Sequence, residues 1–155
     1  MNKVRINFVC LGNICRSPMA EAMFKHYVKQ QGTFERFEIS SSGTGAYHIG
    51  HDADERTNKI CERHGIDIKH CAQQFKLSMI HEFDLVIAMD ESNRAHLQKM
   101  GVNKELHLLC SFEPFAKNLN VPDPYYGNLK DFQEVYDIIQ GCLPALYEYA
   151  LKIKN

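Results

Sequence analysis

Cys10 and Arg16 stand six positions apart in the run Cys10-Leu11-Gly12-Asn13-Ile14-Cys15-Arg16-Ser17-Pro18. A thiolate is a strong nucleophile, and a guanidinium presents a planar fork that matches two oxygens of a phosphate. Together they suit phosphoryl transfer to sulfur, in which an oxyanion is held while the sulfur attacks phosphorus. Chance alone supplies a Cys-x5-Arg followed by Ser or Thr in roughly one or two per cent of chains of this composition. The pattern therefore calls for an explanation in terms of the elements around it.

Val4 to Cys10 reads as a strand, and Ala20, Met23, Phe24, Tyr27 and Val28 fall on one face of a helix. The run is thus a tight strand-to-helix turn, with Ser17 expected as N-cap and Pro18 at the first helical position. Backbone amides there carry the positive end of the helix dipole and form an anion site that favours a thiolate. Phe37 and Ile39 mark a second strand, and Asp54 to His64 a helix closed by Gly65. Leu85 to Met89 is an apolar strand, followed by a helix capped by Asp90 and ending near Gly101. Glu105 to Cys110 reads as a fourth strand, and a last helix is expected from about Asp131, kinked or split at Pro144. The alternation predicts a three-layer α/β fold. Its four-stranded parallel sheet has helices on both faces, in one domain over residues 1–155. Ligands of such sheets bind at the carboxyl ends of the strands, where the Cys10 turn lies.

Composition narrows the function from the other side. The 155 residues carry 18 Lys+Arg against 19 Asp+Glu, so no basic excess exists to bind nucleic acid by phosphate neutralisation. Leu85 to Met89, the longest clean apolar run, is far too short for a membrane span. An even count of six cysteines invites disulfides, but the N-terminal residues lack the pattern of a signal peptide. The expectation is a cytoplasmic protein with reduced thiols, in which Cys61, Cys71, Cys110 and Cys142 are packing residues. His48-x-x-His51 with Asp52 and Asp54 lacks the partners of a metal site, and Gly43-x-Gly45 lacks the third glycine of a dinucleotide fingerprint. Neither metal nor cofactor is expected.

The run from Val9 to Pro18 resembles the signature of the low-molecular-weight protein tyrosine phosphatases. Asp123-Pro124-Tyr125-Tyr126-Gly127 resembles that family's second motif, and Ser42-Gly43, His64-Gly65-Ile66, His70 and Met89-Asp90-Glu91-Ser92-Asn93 fit its pattern in order. The resemblance spans residues 4 to 150 and implies the flavodoxin-like strand order 2-1-3-4. It implies hydrolysis of phosphotyrosine in proteins and of small aryl phosphates through a phosphocysteine intermediate. Cys10 would be the nucleophile, and Arg16 would bind the phosphoryl group and stabilise the transition state. Asp123 would serve as general acid and then base. The phosphate-binding loop would be Leu11, Gly12, Asn13, Ile14, Cys15 and Arg16. Ser17 would hydrogen-bond the sulfur, and Ser42 and His70 would brace Asn13, which tolerates a left-handed backbone. Tyr47, Tyr125 and Tyr126 would form the substrate slot, with Tyr47 standing where many relatives carry Trp. Cys15 would be a redox partner for Cys10.

Without the resemblance, Asp123 reads as a turn residue between two prolines, His70 as an ordinary packing histidine, and the tyrosines as loop aromatics. Gln73 appears where relatives often have Arg; it and Pro144 are departures expected to leave the signature untouched. An alternative on the same loop is a thiol-dependent arsenate reductase. That chemistry needs a resolving cysteine in mid-chain, and none lies between Cys71 and Cys110. The expected oligomeric state is a monomer or weak dimer.

Overall fold

The computed structural model describes residues 2–154. Strand β1 is Val4–Cys10, β2 Phe37–Gly43, β3 Leu85–Ala88 and β4 Leu106–Leu108, and all pair in parallel in the order β2-β1-β3-β4. Four α-helices join or follow them: α1 Arg16–Gln30, α2 Glu55–Arg63, α3 Glu91–Met100 and α4 Leu129–Ile153. The expected fold class and strand order are those observed.

Side chains alternate across β1 and β3, and each face is covered. Ile6, Phe8, Leu85 and Ile87 are buried in a core shared with α1, α2 and α4. Val9, Val86 and Ala88 face the other way, against Leu97 of α3 and Val102 after it. A strand buried on both sides reads as a continuous apolar run, which is why Leu85 to Met89 was legible. Register then fixes the site. Cys10 pairs with Gly43 at the end of β2, and Val9 pairs with Ala88 at the end of β3. Three strand ends thus bring the Cys10 turn, Gly43 and the Met89-Asp90 corner together.

Several boundaries differ from the sequence reading. The fourth strand is three residues long, not six. Glu105 has φ +48°, a left-handed conformation that cannot extend a strand, and Leu109–Phe112 tightens into a 3₁₀ turn. Helix α4 starts earlier than expected, because Asn128 is its cap and accepts from the amides of Lys130 and Asp131. Asp131 closes the reciprocal box on the Asn128 amide rather than opening the helix. Pro144 does not split α4, which runs unbroken to Ile153. An interior proline costs about 3 kcal/mol, whereas each large apolar side chain buried along that stripe returns about 1.5–3 kcal/mol. Phe132, Val135, Ile139, Leu143 and Leu146 are all buried there, so packing outweighs the lost hydrogen bond.

Candidate active site

Cys10 ends β1 with its side chain buried. The amide of Asn13 donates to its Sγ at 3.3 Å, and the Ser17 hydroxyl lies 3.0 Å from the same sulfur. Asn13 is the pivot of the turn. Its φ of +56° is the left-handed conformation that asparagine tolerates better than most residues. Its side-chain amide donates to Ser17 Oγ at 2.8 Å and Ser41 Oγ at 3.0 Å, and its Oδ1 accepts from the Gln73 amide at 2.9 Å. Its backbone carbonyl is 2.6 Å from His70 Nε2. Behind the turn, Gly43 lets the loop approach β2: a Cβ there would stand 2.7 Å from the Leu11 carbonyl oxygen.

Three expectations are corrected by this geometry. The serine hydroxyl on Asn13 belongs to Ser41, not Ser42. Neighbouring residues of a strand point to opposite faces, and the Ser42 hydroxyl goes to Asn7 Oδ1 at 2.6 Å. Ser17 is not the N-cap of α1, and Pro18 is its third residue and not its first: the helix begins at Arg16 after Cys15, two residues earlier than expected, and the Ser17 hydroxyl is engaged by Cys10 and Asn13. Gln73 does touch the signature, through its backbone on Asn13 and its side chain on the Ser41 carbonyl at 2.9 Å. Asn13→Ala is expected to destabilise the fold by about 2–4 kcal/mol, since buried partners lose their bonds and a Cβ-bearing residue without local compensation must stay left-handed. Asn13→Gly should recover about 1 kcal/mol of that. Urea unfolding of both variants checks it, and equal losses would remove backbone strain from the account.

Arg16 is 3% exposed. Its Nη1 meets Asp90 Oδ2 at 2.7 Å and the Val121 carbonyl at 3.0 Å, and its Nη2 is 3.8 Å from Asp123 Oδ2. Burial opposes its charge, but Cys10, Asp90 and Asp123 outweigh burial and hold the guanidinium above its ordinary value. Asp90 therefore has a second role that sequence did not reveal. Its Oδ1 caps α3 through the Asn93 amide at 2.8 Å, while Oδ2 orients Arg16. Asp123 sits on a loop with its carboxylate half-exposed, and its Oδ1 accepts from the Tyr125 amide at 3.1 Å, the turn expected from its flanking prolines.

Cys10, Leu11, Gly12, Ile14, Cys15, Arg16, Tyr47, His48, Asp123, Tyr125 and Tyr126 line one cavity of about 390 Å³. All the expected nucleophile, phosphate-loop, acid and slot residues except Asn13 meet there, and Asn13, Ser17, Ser42 and His70 lie behind it. His48 is an addition. Its ring stands between Tyr47, at 6.4 Å, and Tyr125, at 6.2 Å, so it joins the wall of the slot expected from Tyr47, Tyr125 and Tyr126. Tyr126 is 96% exposed and forms only the outer rim. Burial, then the charges of Asp54, Cys10 and Asp123, push the Cys15 thiol well up, so it stays protonated beside Cys10. Cys61, Cys110 and Cys142 are buried as expected, but Cys71 is exposed, because it lies in an irregular loop and not on a helix or strand.

The chain is similar to known proteins over nearly its whole length. Residues 5–154 match the family model described as low molecular weight phosphotyrosine protein phosphatase. A Saccharomyces cerevisiae protein of that description is 42% identical over 137 residues, 84% of this chain and 85% of the yeast protein. A Homo sapiens protein of the same description is 40% identical over 148 residues, 92% of this chain and 93% of its own. The crystal structure of a protein tyrosine phosphatase from Entamoeba histolytica superposes with a TM-score of 0.93 at 33% identity, covering 99% of this chain and all of that one. Sequence, fold and relatives agree, and the chain belongs to the low molecular weight phosphotyrosine protein phosphatase family.

Proposed function

We propose that this protein hydrolyses phosphotyrosine in proteins and small aryl phosphates, with Cys10 as nucleophile. The observation that carries the reading is the convergence of Cys10, Arg16 and Asp123 on a cavity walled by Tyr47, His48 and Tyr125. In the first step the Cys10 sulfur attacks phosphorus and the bond from phosphorus to the aryl oxygen breaks. The Asp123 carboxyl gives its proton to that oxygen, so a phenol leaves rather than a phenolate. In the second step Asp123, now a carboxylate, takes a proton from water attacking phosphorus. The sulfur–phosphorus bond breaks, releasing inorganic phosphate and the thiolate. Arg16 and the loop amides meet the charge on the phosphoryl oxygens, a task that needs no metal ion. The aromatic walls favour an aryl ester, whose flat ring they can flank.

Oxidation fits the same site. A peroxide takes the Cys10 thiolate to a sulfenic acid, and attack by the Cys15 sulfur then forms a disulfide with loss of water. A reduced compartment such as the cytoplasm would keep the nucleophile active.

Asp123→Ala tests the acid role. It is expected to lower kcat/KM about 10²–10⁴-fold for phenyl phosphate, a poor leaving group. For 2,4-dinitrophenyl phosphate, whose phenolate departs unprotonated, the loss should be less than about tenfold. A uniform loss across leaving groups would remove Asp123 from the acid role. Turnover of p-nitrophenyl phosphate should be unchanged by EDTA.

A further inference from the structure

We propose that Arg56 is a positioning residue, a strut that sets the acid-bearing segment of residues 121–128 at its working distance from the phosphate-binding loop. The inference rests on the proposed phosphatase reading and concerns a residue outside both motifs. Arg56 lies in the first turn of α2 and spends its guanidinium in two directions. Nε and Nη2 hold the two carboxylate oxygens of Asp54, each at 2.9 Å. Nη1 donates to the Gly127 carbonyl at 2.9 Å and Nη2 to the Tyr125 carbonyl at 3.0 Å, on the turn that carries Asp123. The guanidinium plane also packs 4.3 Å from the Phe132 ring, at the root of α4, and 5.9 Å from the Tyr125 ring.

The other end of the strut is fastened to the phosphate loop. The Asp54 amide donates to the Ile14 carbonyl at 2.8 Å, and Thr57 Oγ1 donates to the Cys15 carbonyl at 3.2 Å. An unbroken line of hydrogen bonds thus runs from Ile14 through Asp54 and Arg56 to Tyr125 and Gly127. Its hydrogen bond with Asp54 is the first cause holding Arg56 above its ordinary value, and the Asp54 carboxylate is held below its own by the same bond. Among the described residues Asp123 itself has a distant ion pair with Arg16 and a turn of its own; its segment is held at Val121 by Arg16 and the Met89 carbonyl, and beyond Asp123 it is Arg56 that holds the turn. A lysine cannot replace the fork, since a point charge cannot bind a carboxylate side-on and two carbonyls at once.

The test compares Arg56→Met and Arg56→Lys with the native protein by two readouts. In both variants kcat/KM for phenyl phosphate is expected to fall about 10–100-fold, the cost of misplacing a catalytic group by about 1 Å. For 2,4-dinitrophenyl phosphate, which needs no acid, the change should be under about twofold. Hydrogen exchange at the Tyr125 and Gly127 amides should quicken at least about tenfold, with residues 11–17 unaffected. Equal losses for both esters, restoration by lysine, or unchanged exchange at the turn would overturn the proposal. Should the native protein hydrolyse neither ester, the phosphatase reading falls on its own, and the exchange comparison still decides whether Arg56 holds the turn.

Discussion

Cys10→Ser is expected to lower kcat/KM for p-nitrophenyl phosphate more than about 10⁴-fold while leaving the fold intact. The substitution is nearly isosteric, and an oxygen can keep the contacts that the sulfur makes with the Asn13 amide and the Ser17 hydroxyl. What it cannot keep is the nucleophile. An alcohol in water is far less acidic than a thiol, and one amide and one hydroxyl aimed at the atom are too few donors to produce an alkoxide at neutral pH. The anion-binding parts remain, so the variant should still bind inorganic phosphate or vanadate, and calorimetry would show it. Activity surviving at more than about one per cent of native would assign the attack to another group and overturn the mechanism. A loss of binding together with activity would instead mean that the loop had collapsed.

Arg16→Lys is expected to cost about 10³-fold in kcat/KM, despite preserving the charge. The native guanidinium serves several partners at once: Nη1 is committed to Asp90 and the Val121 carbonyl, which leaves the rest of the fork to face the cavity. Lysine can satisfy Asp90, and that pairing would draw the ammonium away from the phosphoryl group. Removing the charge altogether would strand Asp90 and destabilise the fold by several kcal/mol, so the conservative variant is the cleaner measurement. Thermal unfolding measured alongside separates lost chemistry from lost structure. A loss smaller than about tenfold would show that a point charge suffices and that the fork carries little of the transition-state charge.

Both expectations concern residues that a reader of the sequence finds at once. Cys10, Asn13, Arg16 and Ser17 lie within eight consecutive positions, and a strand-to-helix turn is a local structure set by nearby side chains. The order of the four strands was legible for a similar reason. Alternating apolar strands and amphipathic helices leave few ways to wind a parallel sheet right-handedly, and the family resemblance selected one of them. Boundaries were less legible where local signals compete with packing. Pro144 is a helix breaker by propensity, and it is overridden by the buried stripe of α4.

The sequence by itself determined the fold class, the Cys10 turn and the Asp123 motif, because each is written in contiguous residues or in a periodic pattern. Only the tertiary structure decided that Asp90 orients Arg16 across 74 positions, that Ser41 and not Ser42 holds Asn13, and that His48 walls the slot. It likewise decided that Arg56 bridges Asp54 to Tyr125, 69 positions away. A side chain's partner depends on which way its strand faces and which strand ends meet. Parallel pairing joins strands far apart in the chain, so these partners are brought together by the fold and not by neighbouring residues.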